Sequence, residues 1–226
     1  MNGKLYLVPT PIGNPDDITL RALTVLRQAD CIVCEEFKEG RALLRKYQIE
    51  KPLESLNEHN TSQATPSILR RLTGGESIAL VSDCGTPVFS DPGAELVREA
   101  IARGVQVVPL PGASSLLPAL VGSGFSLDAF VFVGWLSPKK DIRKKQLGDL
   151  KRESRTAVIM ETPYRLNVLL RERLEVLGPA RRVSVAFDLT LPTERFYRGT
   201  LGTVTVDIAS KNLKGEFVVV IQGSRM

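Results

Sequence analysis

Few cysteines, few aromatic residues and a single histidine distinguish this sequence of 226 residues. Its three cysteines exclude a disulfide-stapled scaffold, and their odd number is typical of reduced thiols. No segment approaches the roughly 18 uninterrupted apolar residues of a membrane-spanning helix, so no membrane partner is expected. The first residues lack the basic start and the apolar run of a secretory signal, which predicts a cytoplasmic protein.

The composition is that of a globular protein. Hydrophobic residues make up 43% of the chain and charged residues 24%, which excludes collagen-like and disordered classes. At roughly 100–200 residues per domain, the length suits one large or two small domains. The 30 basic and 25 acidic residues give a net charge of +5. Residues 138–155 hold eight basic and three acidic side chains, so this one segment accounts for the whole excess.

Short β-rich runs alternate with helical patterns along the chain, which predicts crossover units and a largely parallel sheet. The expected strands are Leu5–Val8, Cys31–Cys34, Ile78–Ser82, Val105–Leu110, Phe130–Val133, Thr156–Met160, Val183–Phe187 and Phe217–Ile221. The alternation restarts after the glycine-rich stretch Gly122–Ser126. The fold class is therefore expected to be α/β, with two α/β domains at residues 1–121 and 122–226.

Three loops rich in glycine and proline follow expected strands, at Pro9–Pro15, Ser82–Gly93 and Pro109–Ser115. In open α/β sheets, ligands bind beyond the carboxyl ends of the strands. Glycine and proline there let the backbone approach a ligand closely. Any one loop is also consistent with an ordinary turn, but the three together indicate a nucleotide-like ligand. Neither GxxxxGK[ST] nor GxGxxG with a later acidic residue is present, which excludes those phosphate-binding motifs.

The spacing of Cys31 and Cys34 raises the possibility of a metal or redox site. On a strand, however, residues i and i+3 point to opposite faces of the sheet. A zinc site usually needs four ligands at characteristic spacing, and no second pair lies nearby. We therefore expect two buried thiols and no metal.

Several segments resemble the ribosomal small subunit methyltransferase I family, and the opening segment Tyr6–Asn14 is among the most specific. The other matching segments are Asp17–Leu23, Asn57–Asn60, Ser82–Gly93, Pro109–Ser114, Glu161–Arg165, Arg198–Leu201 and Lys214–Phe217. Members of this family methylate a cytidine ribose 2′-oxygen in 16S ribosomal RNA with S-adenosylmethionine. The resemblance covers essentially the whole chain and implies that cofactor, with ribosomal RNA or the small ribosomal subunit as the partner.

The resemblance extends to the tetrapyrrole methylase-like superfamily, which implies two α/β domains with the cofactor in the cleft between them, and a homodimer. Two features depart from the family. Its members typically carry Ala-Glu-Asp-Thr-Arg after the second strand, whereas residues Cys34–Lys38 read Cys-Glu-Glu-Phe-Lys. Members also usually continue for some dozens of residues beyond the last strand, whereas this sequence stops at Met226, which predicts a short variant without the C-terminal extension.

Methylation of a ribose hydroxyl requires a positioned base that removes its proton. The candidates are Glu35, Glu36, Glu58, His59, Glu161 and Asp188. Glu36 follows a strand end, and His59 is the only histidine, a side chain whose ordinary pKa lies near neutrality. We predict that these two are catalytic. The alternatives are a merely exposed carboxylate and a solvated or structural histidine.

The cofactor contacts are predicted mainly in the three loops. They are Ile12, Gly13, Asp83, Thr86, Pro87, Ser114, Ser115 and Met160. Ser114 and Ser115 also suit a helix N-terminus, where they present hydroxyls and N–H groups. For Asp83 the alternative is a carboxylate that caps the following turn.

The basic segment begins just after the first expected strand of the second domain. Basic side chains beside an active site favour a polyanion through phosphate contacts and counterion release. The predicted RNA-binding residues are Lys139, Lys140, Arg143, Lys144 and Lys145. The alternative is an ordinary solvated helix face.

Two other functions stay open at this point. A small-molecule methyltransferase that acts on a tetrapyrrole shares the implied fold, although that branch usually has a more glycine-rich first loop. A non-catalytic relative that binds cofactor or RNA accords with the altered acidic motif and the short C-terminus. Binding of labelled S-adenosylmethionine without methyl transfer to undermethylated small subunits would favour the hypothesis of a non-catalytic relative.

Overall fold

Two five-stranded sheets are present in the computed structural model, one in each of two units, Met1–Ser114 and Ser115–Met226. The structure describes residues 2–89, 91–211, 213 and 215–224, the side chains of residues 167, 168, 171 and 174 excepted. Ser90 and Lys214, which belong to two of the motifs above, lie outside the described residues.

The first unit is a parallel α/β sheet. Its strands are β1 (Lys4–Val8), β2 (Cys31–Cys34), β3 (Leu53–Ser55), β4 (Ile78–Val81) and β5 (Gln106–Pro109). Its helices are α1 (Leu20–Gln28), α2 (Phe37–Lys46), α3 (Thr61–Thr73) and α4 (Ala94–Ala102). The strand order is β3-β2-β4-β1-β5, and every pairing is parallel. The prediction of crossover units is therefore confirmed for this unit.

Both faces of the first sheet are covered, because β2 and β4 are apolar throughout and all four residues of each are buried. One core cluster joins the sheet to α3 and α4 and includes Cys31 and Leu69. The other joins it to α1 and α2 and includes Cys34 and Leu26. The two thiols thus lie on opposite faces, as predicted. Among the described residues, no group of His, Cys, Asp and Glu is arranged to hold a metal ion.

The second unit has a mixed sheet of order β6-β7-β10-β8-β9. Its strands are β6 (Phe130–Trp135), β7 (Thr156–Glu161), β8 (Arg182–Phe187), β9 (Arg195–Thr200) and β10 (Phe217–Ile221). Its helices are α5 (Leu116–Ser123), α6 (Lys140–Leu150), α7 (Leu166–Leu177) and α8 (Leu201–Lys211). β6 and β7 are parallel, whereas β10 is antiparallel to β7 and β8, and β8 is antiparallel to β9.

The expectation of a largely parallel sheet is wrong for this second unit. Strand β9, which the sequence did not indicate, follows β8 after a short connection without a helix, so the two strands run in opposite directions. β10 then inserts between β7 and β8 and pairs with both. A single apolar cluster fills the space between this sheet and α6, α7 and α8.

Contacts divide the chain between Ser114 and Ser115, whereas the sequence suggested a boundary between residues 121 and 122. The difference is helix α5, which packs on β8, β9 and β10 and so belongs with the second unit. The helix ends at Gly124, whose φ of +74° is the left-handed conformation that glycine adopts readily. The glycine-rich stretch is therefore a helix stop inside the second unit.

The helices are short, and several carry the local signals expected of them. α1 begins at Thr19, whose hydroxyl oxygen accepts a hydrogen bond from the Ala22 N–H at 3.0 Å. α3, with 13 residues, buries Ile68, Leu69 and Leu72 in the core cluster that contains Cys31. In the part of the chain that the structure describes, no helix has the length and apolarity needed to cross a membrane.

Candidate active site

The carboxyl edge of the first sheet gathers the loops that the sequence singled out. Because all five strands are parallel, the loops after β1, β4 and β5 emerge at the same edge. Thr10 and Gly85 exchange two backbone hydrogen bonds, of 2.9 and 3.1 Å, which join the first loop to the second. The buried Thr10 hydroxyl also donates to the carbonyl of Ser82 at 3.0 Å. Thr10 thus organises this edge, although the sequence analysis did not single it out.

Two glycines allow the loops to pack this closely. Gly85 has a φ of +88°, and a Cβ there would lie 3.2 Å from Cγ2 of Ile12. A Cβ on Gly112 would lie 2.6 Å from Cβ of Pro9, which is closer than real side chains approach. Any larger residue at either position would push the loops apart, so the glycines are needed for their contact.

Six of the eight predicted cofactor contacts lie at this edge of the first unit: Ile12, Gly13, Asp83, Thr86, Pro87 and Ser114. The Cys84 thiol donates to the carbonyl of Ile12 at 3.8 Å, and the Thr86 hydroxyl donates to the carbonyl of Ala113 at 3.1 Å. These bonds link the second loop to the first and to the third. The sequence prediction that the three loops meet is therefore reproduced in the structure.

The other two predicted contacts, Ser115 and Met160, lie in the second unit. Ser115 is the N-cap residue directly before α5, and within the described residues its side chain makes no capping hydrogen bond to that helix. Met160 is buried in β7, in register with Trp135 of β6 and Val218 of β10.

A group of carboxylates surrounds the ends of β2 and β4. The backbone N–H of Glu36 donates to Oδ1 of Asp83 at 3.3 Å, so Asp83 caps a neighbouring loop across the sheet rather than only its own turn. Burial raises the pKa of Asp83, and the charges of Glu39, Glu36 and Asp91 raise it further, against the opposing effect of that hydrogen bond. Burial likewise raises the pKa of Glu35, with Asp83 as the strongest neighbouring charge.

Glu36 presents an exposed carboxylate at this edge. It is the N-cap residue directly before α2, and among the described residues its side chain caps no N–H group of that helix. Its backbone is held in place by Asp83, while its side chain projects into solvent. Such a group is free to meet a substrate hydroxyl.

His59 lies in a tight turn after β3. Oδ1 of Asn57 accepts hydrogen bonds from the N–H groups of His59 and Asn60, at 3.0 and 3.1 Å. The turn is tied to the second strand, because Nδ2 of Asn57 donates to the Ser55 hydroxyl at 3.1 Å and that hydroxyl donates to the carbonyl of Glu35 at 3.0 Å. His59 itself is exposed, so Glu36 and His59 emerge from neighbouring loops at one sheet edge.

Four of the five predicted RNA-binding residues are exposed in or beside α6: Lys139, Lys140, Lys144 and Lys145. Arg143 does not fit that prediction, because it is only 6% exposed. Its Nε and Nη2 donate to the two carboxylate oxygens of Glu172 at 2.5 and 2.8 Å, and Nη1 donates to the carbonyls of Ser137 and Pro138. Arg143 thus forms a buried ion pair with Glu172, and its hydrogen bonds lower the pKa of Glu172.

Of the three remaining base candidates, Glu58 is exposed beside His59 in the first unit, and Glu161 and Asp188 are already engaged in the second. Glu161 is buried, and its Oε1 accepts from the Thr162 N–H at 3.0 Å and pairs with Nη1 of Arg165 at 3.3 Å. Oδ2 of Asp188 accepts from the Thr193 hydroxyl at 2.9 Å. Arg173 is fully buried on α7, and burial lowers its pKa to about 9 against the opposing charges of Glu161 and Glu172. This buried charge was not foreseen from the sequence.

Comparison with known proteins gives consistent matches along the chain. The family model of the tetrapyrrole (corrin/porphyrin) methylases matches residues 4–205. The ribosomal RNA small subunit methyltransferase I of Bacillus subtilis strain 168 is 43% identical over 222 residues, which cover 98% of this chain and 76% of that protein. The protein of that name from Thermotoga maritima is 42% identical over 221 residues, which cover 98% of this chain and 99% of the relative.

Solved structures with low sequence identity share the fold. The cobalamin biosynthetic enzyme cobalt precorrin-4 methyltransferase is 18% identical, with a TM-score of 0.70 over 97% of this chain and 94% of that chain. Uroporphyrin-III C-methyltransferase from Thermus thermophilus, complexed with S-adenosyl homocysteine, is 21% identical, with a TM-score of 0.64 over 97% of each chain. At these identities the likeness concerns the fold alone.

Proposed function

We propose a ribosomal RNA substrate for this chain, which belongs to the ribosomal RNA small subunit methyltransferase I family of the tetrapyrrole methylases. As a member of that family it is an S-adenosylmethionine-dependent methyltransferase. The proposed reaction is 2′-O-methylation of a cytidine ribose in small-subunit ribosomal RNA. The observation that carries the substrate class is identity above 40% with proteins named for this RNA over nearly the whole chain.

The loops at the carboxyl edge of the first sheet fit the proposed cofactor. Gly85 and Gly112 keep side chains out of the places where the loops meet, while the partly exposed Ile12 offers apolar surface and Pro87 is buried. Asp83 offers a carboxylate that suits the hydroxyls of a nucleoside. When bound, S-adenosylmethionine supplies a methyl group activated on a sulfonium. The protein's contribution is then mainly to hold the ribose oxygen in line with that methyl group.

Glu36 is our proposed general base. A ribose hydroxyl is a weak nucleophile until its proton is removed, and the exposed Glu36 carboxylate can accept that proton as the oxygen–methyl bond forms and the methyl–sulfur bond breaks. The hydrogen bond from the Glu36 backbone to Asp83 fixes the position of the main chain from which the Glu36 carboxylate projects. His59, which emerges exposed from the neighbouring loop, is the second proposed catalytic residue.

The exposed lysines of the basic segment are proposed to contact phosphates of the RNA. Lys139, Lys140, Lys144 and Lys145 carry four positive charges on one stretch of chain, and the nearest paired carboxylate is that of Glu175, 3.8 Å from Nζ of Lys144. Exposed ion pairs at such distances are weak, so these cations are available to a polyanion. We also propose that the protein is a homodimer and that it is cytoplasmic. Light scattering after gel filtration tests the homodimer, which should have twice the mass of one chain.

The direct test is methyl transfer in vitro. Purified protein and S-adenosylmethionine labelled on the methyl group are incubated with small ribosomal subunits from a strain that lacks this protein. The proposal expects label in ribosomal RNA, at a ribose, and none in subunits from the parent strain. Label in a uroporphyrinogen-type acceptor and not in RNA would instead support a small-molecule methyltransferase. Cofactor binding without any transfer would support a non-catalytic relative.

A further inference from the structure

Two large aromatic side chains are exposed at the carboxyl ends of β6 and β7. Trp135 is the last residue of β6 and is 47% exposed, and Tyr164 follows β7 and is 96% exposed. The two strands are parallel neighbours, so their carboxyl ends lie at the same edge of the second sheet. Tryptophan and tyrosine are usually buried to a large extent, and such exposure leaves their ring faces open to a ligand.

A β-bulge sets the direction of Trp135. The pairing of β6 with β7 shifts between Phe132 and Gly134, and Gly134 has a φ of +77°. The extra residue places Trp135 opposite Met160, whereas an unbroken register would have placed it opposite Glu161. Bulges of this kind re-aim side chains and are common next to functional sites.

Hydrogen bonds hold the two loops beside each other. Nη2 of Arg165 donates to the carbonyl of Ser137 at 3.4 Å, and Nη1 of Arg165 pairs with Glu161 at 3.3 Å. Nη1 of Arg143 donates to the same Ser137 carbonyl at 2.8 Å. Trp135 lies two residues before Ser137, and Tyr164 lies one residue before Arg165. The two aromatic residues therefore sit on segments that are joined to each other through the partly buried side chain of Arg165.

Exposed cations follow Trp135 along the chain. Lys139 directly precedes α6 and Lys140 is its first residue, and the backbone N–H of Lys139 donates to the Ser137 hydroxyl at 3.2 Å. Asp141 is the acidic residue of this stretch, which leaves a net positive charge on residues 138–146. Aromatic rings interleaved with lysines are the combination by which proteins bind single-stranded nucleic acid, with bases stacked on rings and phosphates beside cations.

We propose that Trp135 and Tyr164 form a stacking platform for unpaired bases of the substrate RNA. The inference rests on the proposed function and deepens it, because it makes the preferred substrate a single-stranded or locally opened segment. A continuous duplex hides its base faces inside the stack, so it can engage the lysines but not the rings. The platform thus selects unpaired RNA, while Lys139 and Lys140 contribute affinity that is independent of pairing.

The only tryptophan of the sequence reports on the platform directly. The probe is a single-stranded oligoribonucleotide of about 12 nucleotides, within the range that such sites accommodate, and the comparison is its fully paired duplex. Binding is followed by anisotropy of a fluorescent end label, and stacking by the intrinsic fluorescence of Trp135 with unlabelled RNA. The single strand is expected to quench the tryptophan with the same midpoint as its binding, whereas the duplex binds without that quenching.

Variants separate stacking from charge. Trp135→Ala and Tyr164→Ala are each expected to weaken single-strand binding by about 5-fold to 150-fold, the range for loss of one base–aromatic stack. Tyr164→Phe keeps the ring and is expected to keep the affinity. Phe130→Ala is the matched control, because Phe130 is 40% exposed at the opposite end of the same strand. Circular dichroism and the urea midpoint show which variants are folded. The quenching of Trp135 is measured on the wild-type protein, so that test does not depend on the folding of any variant.

Three outcomes decide the matter. Quenching by the single strand, lost affinity in both alanine variants and an unchanged Phe130→Ala support the platform. RNA binding without quenching, or equal losses in Phe130→Ala, overturns the platform and leaves the proposed methyl transfer to RNA intact. Absence of both RNA binding and methyl transfer overturns the platform together with the proposed function.

Discussion

The backbone N–H of Glu36 donates a hydrogen bond to Oδ1 of Asp83 at 3.3 Å, and this bond connects the ends of β2 and β4. It joins a proposed catalytic residue to a proposed cofactor contact within one unit. Asp83 therefore has two tasks, since it positions the Glu36 loop and faces the loops that we propose hold the cofactor. Variants at the two positions should affect different steps of the reaction.

Asp83→Ala is expected to weaken S-adenosylmethionine binding by about tenfold or more, because hydrogen bonds to a charged group are typically worth about 1.5–3 kcal/mol. Isothermal titration calorimetry measures the dissociation constant. Asp128→Ala is the control, since Asp128 is exposed in the second unit and forms a local hydrogen bond with Ser126. Unchanged affinity in Asp83→Ala would remove this residue from the proposed cofactor site.

Glu36→Gln is expected to lower kcat by about 10²–10⁴-fold, the usual contribution of a general base, with cofactor affinity unchanged. The amide keeps the size of the side chain, and the backbone bond to Asp83 is retained. Single-turnover methyl transfer to small subunits gives the rate. His59→Gln is measured in parallel. If only the histidine variant loses activity, the base is His59 and the Glu36 assignment is wrong.

The raised pKa of Asp83 gives a prediction about stability and pH. Its folded pKa lies above its unfolded pKa, so its favourable contribution is present below about pH 3.9 and is lost as the pH rises through the folded pKa. At pH 7 the ionised carboxylate is therefore unfavourable to folding, and Asp83→Asn should have a higher Tm than the wild type. The difference should vanish in acid. A lower Tm for the variant at pH 7 would mean that the hydrogen bond to Glu36 outweighs burial.

The buried pair of Arg143 and Glu172 should be structural. Arg143→Met leaves Glu172 buried without its partner and should cost about 3–5 kcal/mol in the free energy of unfolding of the second unit. The double variant Arg143→Met/Glu172→Met should recover part of that loss, because the buried carboxylate is removed together with its partner, while Arg173 loses one of its two neighbouring negative charges. Urea unfolding followed by circular dichroism measures both. A double variant that is no more stable than the single one would contradict this account.

The exposed lysines should set the salt dependence of RNA binding. Reversal of Lys139, Lys144 and Lys145 to Glu removes three phosphate contacts and should flatten the slope of log K against log salt by about 2 for single-stranded RNA. Reversal of Lys4, Arg27 and Arg98, which lie in the first unit, is the charge-matched control. Equal slopes in the two variants would mean that the basic segment is an ordinary solvated helix face that does not contact RNA phosphates.

Much of the first unit was predictable from the sequence, because parallel strands that are buried on both faces read as continuous apolar runs. Cys31–Cys34 and Ile78–Val81 are examples. The glycine and proline loops were also predictable, and their meeting at one edge follows from the parallel order. Strand β3 was missed because its three residues are only partly buried and include Glu54.

The second unit was less predictable because tertiary packing overrides local preference there. Helix α8 contains Thr203, Val204, Thr205 and Val206, a run that favours strands, yet it is helical because Leu201, Val204 and Ile208 pack into the core. Arg143 looked like a surface cation, and its partner Glu172 lies 29 residues further along the chain. A pairing of that kind follows from the packing of α6 on α7, which the sequence pattern does not contain.

The central claim is tested most directly by mapping ribose methylation in ribosomal RNA from a strain that lacks this protein. The strain is complemented with the wild type, with Glu36→Gln or with an empty vector. Our account predicts one cytidine 2′-O-methyl group in small-subunit RNA that is absent from the deletion strain, restored by the wild type and not restored by Glu36→Gln at equal protein level. An identical methylation map in the deletion strain and its complemented counterpart would contradict it.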